Sequence, residues 1–79
     1  MATAYVLINT DIGSESEVLD QLKKIDAVEE SHMVYGVYDV VAKVSAETME
    51  NLKESVSWKV RRLEKVRSTL TMIIIENQK

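Results

Sequence analysis

The sequence contains no cysteine, no proline, one histidine and two glycines. Without cysteine there is neither a disulfide framework nor a thiol nucleophile, and one histidine leaves no His/Cys cluster of the kind that holds a metal. With no proline, and with the glycines set apart at Gly13 and Gly36, no stretch reads as a linker, so the 79 residues are expected to form one domain. No apolar run approaches the roughly 20 residues of a membrane span. Met1-Ala2-Thr3 is followed by neither a basic region nor a signal-type cleavage site, and a cytoplasmic location is expected.

What is present is an ordinary globular composition, 46% hydrophobic and 29% charged. A chain this short buries only roughly 60 to 65% of its unfolded surface, which is marginal for a lone monomer. With disulfides and metals removed, oligomerisation is the remaining route to stability. The net charge of -3 argues against nucleic acid as the main partner. Its distribution is uneven: residues 1–40 carry eight acids and two bases, residues 41–79 five acids and eight bases. Lys59, Arg61, Arg62, Lys65 and Arg67 form a cluster that reads as the solvated, cationic end of a helix.

Ala4 to Ile8 is a short run of β-formers closed by Asn9, Asp11 and Gly13, and reads as a strand. Ser14 and Glu17 have capping-box spacing, and Val18, Leu19, Leu22 and Ile25 recur at helical spacing, which predicts a helix from about Glu15 to Asp26. Val28–Tyr35 and Tyr38–Val44 read as strands joined by a two-residue type II′ turn at Gly36-Val37. Met49, Leu52, Val56, Val60 and Leu63 predict a long helix from Glu47 to Glu64, and Val66 to Glu76 a last strand.

An internal repeat supports this order. Lys23-Lys24-Ile25-Asp26-Ala27-Val28 matches Arg61-Arg62-Leu63-Glu64-Lys65-Val66 at an offset of 38, and Tyr5-Val6-Leu7-Ile8 matches Tyr38-Asp39-Val40-Val41 at 33. Two βαβ halves with right-handed crossovers close into an α+β, ferredoxin-like βαββαβ sandwich: a four-stranded antiparallel sheet with two helices on one face. Both faces of that sheet are apolar, because Tyr5 and Leu7 oppose Ala4, Val6 and Ile8, and Leu70, Met72 and Ile74 oppose Ile73 and Ile75. Two helices cover one face only. A homodimer packed sheet on sheet, with further assembly through its edges, is the simplest cover for the other.

Few residues here could carry catalysis. His32 stands alone with Glu29 and Glu30 nearby, no glycine-rich phosphate loop is present, and no cofactor or metal is expected. Met33, Met49 and Met72 read as core filling, and Trp58 as either a half-exposed packing residue or an assembly contact. The segment Tyr35-Gly36-Val37-Tyr38-Asp39 is richer than a turn requires. One reading is a solvated acid with two rings packed across strands. The other is a small pocket for a zwitterion, with Asp39 for an ammonium group, free N–H groups for a carboxylate, and hydroxyls of Ser68, Thr69 and Thr71 from a neighbouring copy.

These residues carry a resemblance. The strand AYVLINT at 4–10, the hairpin VYGVYDVVAKV at 34–44 and the ending VRSTLTMII at 66–74 resemble the effector-binding (RAM) domain of the Lrp/AsnC transcriptional regulators, over about residues 3–76. The resemblance implies a dimeric α+β barrel arrangement, dimers associating into rings that are commonly octamers, and an amino acid bound between dimers. It places Gly36, Tyr38 and Asp39, with Tyr35 and Val37, on one side of the effector site and Ser68 and Thr69 on the strand closing it, with Leu70 lining a side-chain pocket. Full members carry a helix-turn-helix domain for which this chain has no room. It therefore resembles the stand-alone form, without direct DNA binding, sensing an amino acid alone or tuning a full-length relative by co-assembly. The same fold also resembles small dimeric monooxygenases, in which His32 would be the proton-transferring group, and amino-acid-binding ACT domains, for which Gly13 would serve the turn after the first strand. A pure assembly module that binds no ligand is the remaining class.

Overall fold

The computed structural model of the chain describes residues 1–75. Strand β1 (Ala2–Thr10) leads to α1 (Glu15–Leu22), then β2 (Val28–Met33), β3 (Val40–Ala46), α2 (Met49–Ser55) continued by a π-helical segment (Val56–Val60), and β4 (Val66–Ile73). The sheet is antiparallel in the order β2-β3-β1-β4. This is the expected α+β, ferredoxin-like sandwich, with β1 and β3 central.

The core follows from strand parity. Side chains alternate across a strand, so Ala4, Val6 and Ile8 share a face with their β3 partners Val44, Ala42 and Val40. All six are buried, together with Val18 and Leu22 of α1, Leu52 of α2, and Val56 and Val60 beyond it. The opposite face presents Tyr5, Leu7 and Val41 beside Leu70 and Met72, paired as Tyr5–Met72 and Leu7–Leu70. Leu70 is 45% and Met72 47% exposed in the single chain, so an apolar stripe runs down the uncovered side of the sheet.

Several local expectations are corrected. Met33, Met49 and Met72 are all substantially exposed rather than core residues. Met72 lies on the uncovered face, and Met33 is the last residue of the edge strand β2. The connection between β2 and β3 is not a two-residue turn, for the strands stop at Met33 and resume at Val40, and Gly36 has no positive φ. A type II′ turn requires that φ. Tertiary bonds open the hairpin instead: Asp39 N–H donates to Ile8 C=O at 3.0 Å, and Val34 N–H donates to Asp39 C=O at 2.9 Å, closing a six-residue loop.

Helix starts also differ. Ser14 makes no side-chain cap bond, and Glu15 rather than Glu17 reaches back, its Oε1 accepting from Gly13 N–H at 3.1 Å. Gly13 has φ +80°, a conformation suited to glycine, and turns the chain into α1. At α2 the cap is Thr48, in extended conformation, whose Oγ1 accepts from Asn51 N–H at 3.0 Å.

α1 stops at Leu22, short of Asp26, and α2 with its continuation ends at Val60, short of Glu64. In the second unit Arg61 N–H donates to Val56 C=O at 3.0 Å, a bond spanning five residues. The wider turn keeps Val60 in line with Leu52 and Val56, all three buried at a spacing of four. The repeat survives at Val28 and Val66, which both begin strands. The offset of 33 between β1 and β3 does not survive, because an odd offset pairs buried Ile8 with Val41 of the other face. β4 ends at Ile73, and the expected extension to Glu76 reaches outside the described residues.

Candidate functional site

The polar end of β1 and the loop before β3 meet at one corner of the sheet. Besides its two backbone bonds, Asp39 turns its carboxylate onto Thr10: Oδ2 accepts from Thr10 N–H at 2.9 Å and lies 3.5 Å from Thr10 Oγ1. Thr10 is buried, so its N–H would otherwise lack a partner, and the acid clamps the loop to the strand. A carboxylate can accept from more donors than these two, and Asp39 remains partly exposed.

Asp39 and Thr10 line an open cleft of about 420 Å³ together with Asn9, Ile12, Arg67 and Ser68. β4 reaches this corner through a register shift: Asn9 pairs with Ser68 but Thr10 pairs with Val66, leaving Arg67 as the extra residue of a β-bulge. A bulge breaks strict alternation and re-aims the side chain it carries. Here the side chain is the guanidinium of Arg67, whose Nε stands 4.0 Å from Asp11 Oδ1, with both groups largely exposed. Asn9 Nδ2 donates to Ser68 Oγ at 3.4 Å across the same corner. The cleft thus joins one carboxylate, one guanidinium, two hydroxyls and a carboxamide.

Within one chain, Asp39 and Ser68 are the two sequence-predicted residues that this cleft brings together. Tyr35, Gly36 and Val37 project from the loop into solvent, and Tyr38 is half-buried. Thr69 pairs with Ile8 on the helix side of the sheet, whereas Leu70 pairs with Leu7 on the uncovered side. Asn9, Thr10, Ile12 and Arg67 line the cleft without a sequence motif that marks them as site residues. Asn9-Thr10 was visible as the polar end of an apolar strand, and Arg67 was hidden by its place among the helix-end cations. His32 is 60% exposed and its Nε2 lies 3.0 Å from Glu30 Oε1. No group of three or more metal-ligating side chains occurs among the described residues, and no helix there is long and apolar enough to cross a membrane.

The family model of the Lrp/AsnC ligand-binding domain matches residues 3–79. The chain belongs to this family. An uncharacterised helix-turn-helix-type transcriptional regulator of Pyrococcus furiosus is 39% identical to this Lrp/AsnC domain over 74 residues, covering 90% of the chain and 49% of the relative. The chain spans about half the length of the curated relatives it matches. Among solved structures, a hypothetical protein of Pyrococcus horikoshii is 36% identical with a TM-score of 0.89, covering 98% of this chain and 93% of the other. A transcriptional regulator of Neisseria meningitidis, solved as an L-Met complex, shares the fold with a TM-score of 0.81 at 12% identity, over 99% of this chain and 52% of its own.

Proposed function

We propose that this Lrp/AsnC domain senses an amino acid in the cleft at the Asp39 corner and transmits its occupancy through assembly. The observation that carries the reading is that Asp39 and Arg67, of opposite charge, both line one small cleft. A free amino acid presents an ammonium and a carboxylate on one carbon, and a site of matched, opposite charges is complementary to both. Asp39 takes the ammonium, Arg67 the carboxylate, and Ser68 and Asn9 supply neutral hydrogen bonds. The L-Met complex of the Neisseria regulator is consistent with an amino-acid ligand in a protein of this fold.

The cleft is open on one side, and the exposed loop carrying Tyr35, Gly36 and Val37 is available to a neighbouring subunit. In the proposed assembly two copies bury the stripe of Tyr5, Leu7, Val41, Leu70 and Met72 sheet to sheet, and dimers then meet at the loop, closing the cleft with the surface of an adjacent dimer. An octamer is the ring that the family resemblance implies for such dimers. The domain acts in the cytoplasm as a non-catalytic regulator, alone or co-assembled with a full-length relative through the same sheet face. A thermal-shift screen against the twenty amino acids, run beside native mass spectrometry, tests this. Stabilisation by one or a few amino acids with the mass of a ligand-bearing oligomer is expected, and a flat screen would leave only an assembly module.

A further inference from the structure

The charge imbalance along the chain carries into the fold past the end of α2, which itself bears exposed Glu50 and Glu54 beside Lys53. α1 packs over β2 and β3. Its exposed Glu17 and Asp20, with Asp26 after it and Glu29 and Glu30 on the β2 edge, make that side of the molecule acidic, against Lys23 and Lys24. α2 packs over β1 and β3, and the chain then runs to the opposite edge strand, β4. Between Trp58 and Arg67 five exposed cations, Lys59, Arg61, Arg62, Lys65 and Arg67, stand against the single acid Glu64.

Trp58 lies at the start of this cationic segment. It is 63% exposed, and the Arg62 guanidinium sits 4.9 Å from its ring centroid. The π-helical turn that keeps Val56 and Val60 in the core leaves Trp58 facing outward between them. An indole this exposed contributes little to the monomer's own core, while the stacked arginine restrains it. Rigid Trp and Arg side chains are the types that anchor protein interfaces.

We propose that the Trp58–Arg62 patch docks onto the acidic α1 surface of a second copy of the chain, in a head-to-tail contact separate from the sheet face. Charge complementarity selects this occupant: the chain itself carries the acids that match the patch, whereas its net charge of -3 opposes a phosphate backbone. Because the two surfaces differ and each copy bears both, every copy engages two neighbours, and the contact propagates into a ring or a chain. This contact stands independently of amino-acid binding at Asp39.

Trp58 is the sole tryptophan, so its fluorescence reads the contact directly. At low ionic strength its emission shifts to the blue as protein concentration rises, and salt at about 1 M, where screening acts within roughly 3 Å, reverses the shift. Lys59→Glu/Arg61→Glu, which leaves the Arg62 stack in place, and Glu17→Lys/Asp20→Lys each abolish the shift alone, and their equimolar mixture restores it. Far-UV circular dichroism confirms that both variants fold. An emission maximum independent of concentration and salt, or a mixture that restores nothing, overturns the proposal. So does a response of Trp58 to duplex DNA without self-association, which assigns the patch to nucleic acid.

Discussion

The carboxylate of Asp39 is bonded at 2.9 Å to the backbone N–H of Thr10, across the boundary between the β2–β3 loop and the end of β1. One side chain therefore fixes the loop and offers its remaining acceptor capacity to the cleft. These roles separate by mutation. Asp39→Ala strands the buried Thr10 N–H and is expected to cost about 1–3 kcal/mol of stability, read by urea denaturation. Asp39→Asn keeps an acceptor for Thr10 and is expected to cost less than about 1 kcal/mol while still weakening amino-acid binding. Equal destabilisation by the two changes would refute the clamp.

Val6 and Leu7 are neighbours in β1 that face opposite sides of the sheet, Val6 fully buried and Leu7 paired with Leu70 on the uncovered side. Leu70→Lys is expected to convert the protein to a monomer in sedimentation velocity and to remove the concentration dependence of its Tm. Val6→Lys places a charge in the core and is expected to unfold the domain at any concentration. A monomeric wild type, or a Leu70→Lys variant that still dimerises, would rule out the sheet-to-sheet pairing.

The two helix starts are unequal. Thr48 caps α2 with its hydroxyl, whereas Ser14 makes no such bond at α1. Thr48→Ala is expected to lose about 1 kcal/mol, and Ser14→Ala less than about 0.5 kcal/mol, in chemical denaturation. Reversal of that order would show that the capping box read from Ser14 and Glu17 forms in solution.

Positive φ occurs at Gly13 and at Lys65, whose φ is 73° in the turn entering β4. Lys65→Asn, a residue tolerant of this conformation, is expected to raise stability by a few tenths of a kcal/mol, and β-branched Lys65→Val to lower it by about 1 kcal/mol or more. Gly13→Ala is expected to cost about 1 kcal/mol for the same reason. Gly36→Ala is expected to be nearly neutral, because a Cβ there meets nothing within 4 Å and φ is not positive.

The architecture was legible because it rests on periodicities that sterics enforce. The spacing of Val18, Leu22, Leu52, Val56 and Val60 marks the helix stripes that enter the core, while β1, apolar on both faces, does not itself say which face they cover. The details that went unread depend on contacts distant in sequence. Gly36 suggested a tight turn, but the bonds from Asp39 to Ile8 and Thr10, 29 residues away in the case of Thr10, pull the loop open. Met72 has the periodicity of a core residue yet lies on the face the helices leave bare. Half of the charge pair at the site was visible in Asp39. Arg67 was not, since only the bulge between β1 and β4 turns it toward that corner.

The most direct test compares an amino acid identified by the screen with its deaminated analogue, by isothermal titration calorimetry on wild type and Asp39→Asn. If Asp39 holds the ammonium, deamination weakens binding to wild type by about tenfold or more, as expected for a charge-assisted hydrogen bond worth at least about 1.4 kcal/mol, and changes binding to Asp39→Asn far less. Equal losses in the two proteins would contradict the account, because the ammonium would then be recognised elsewhere.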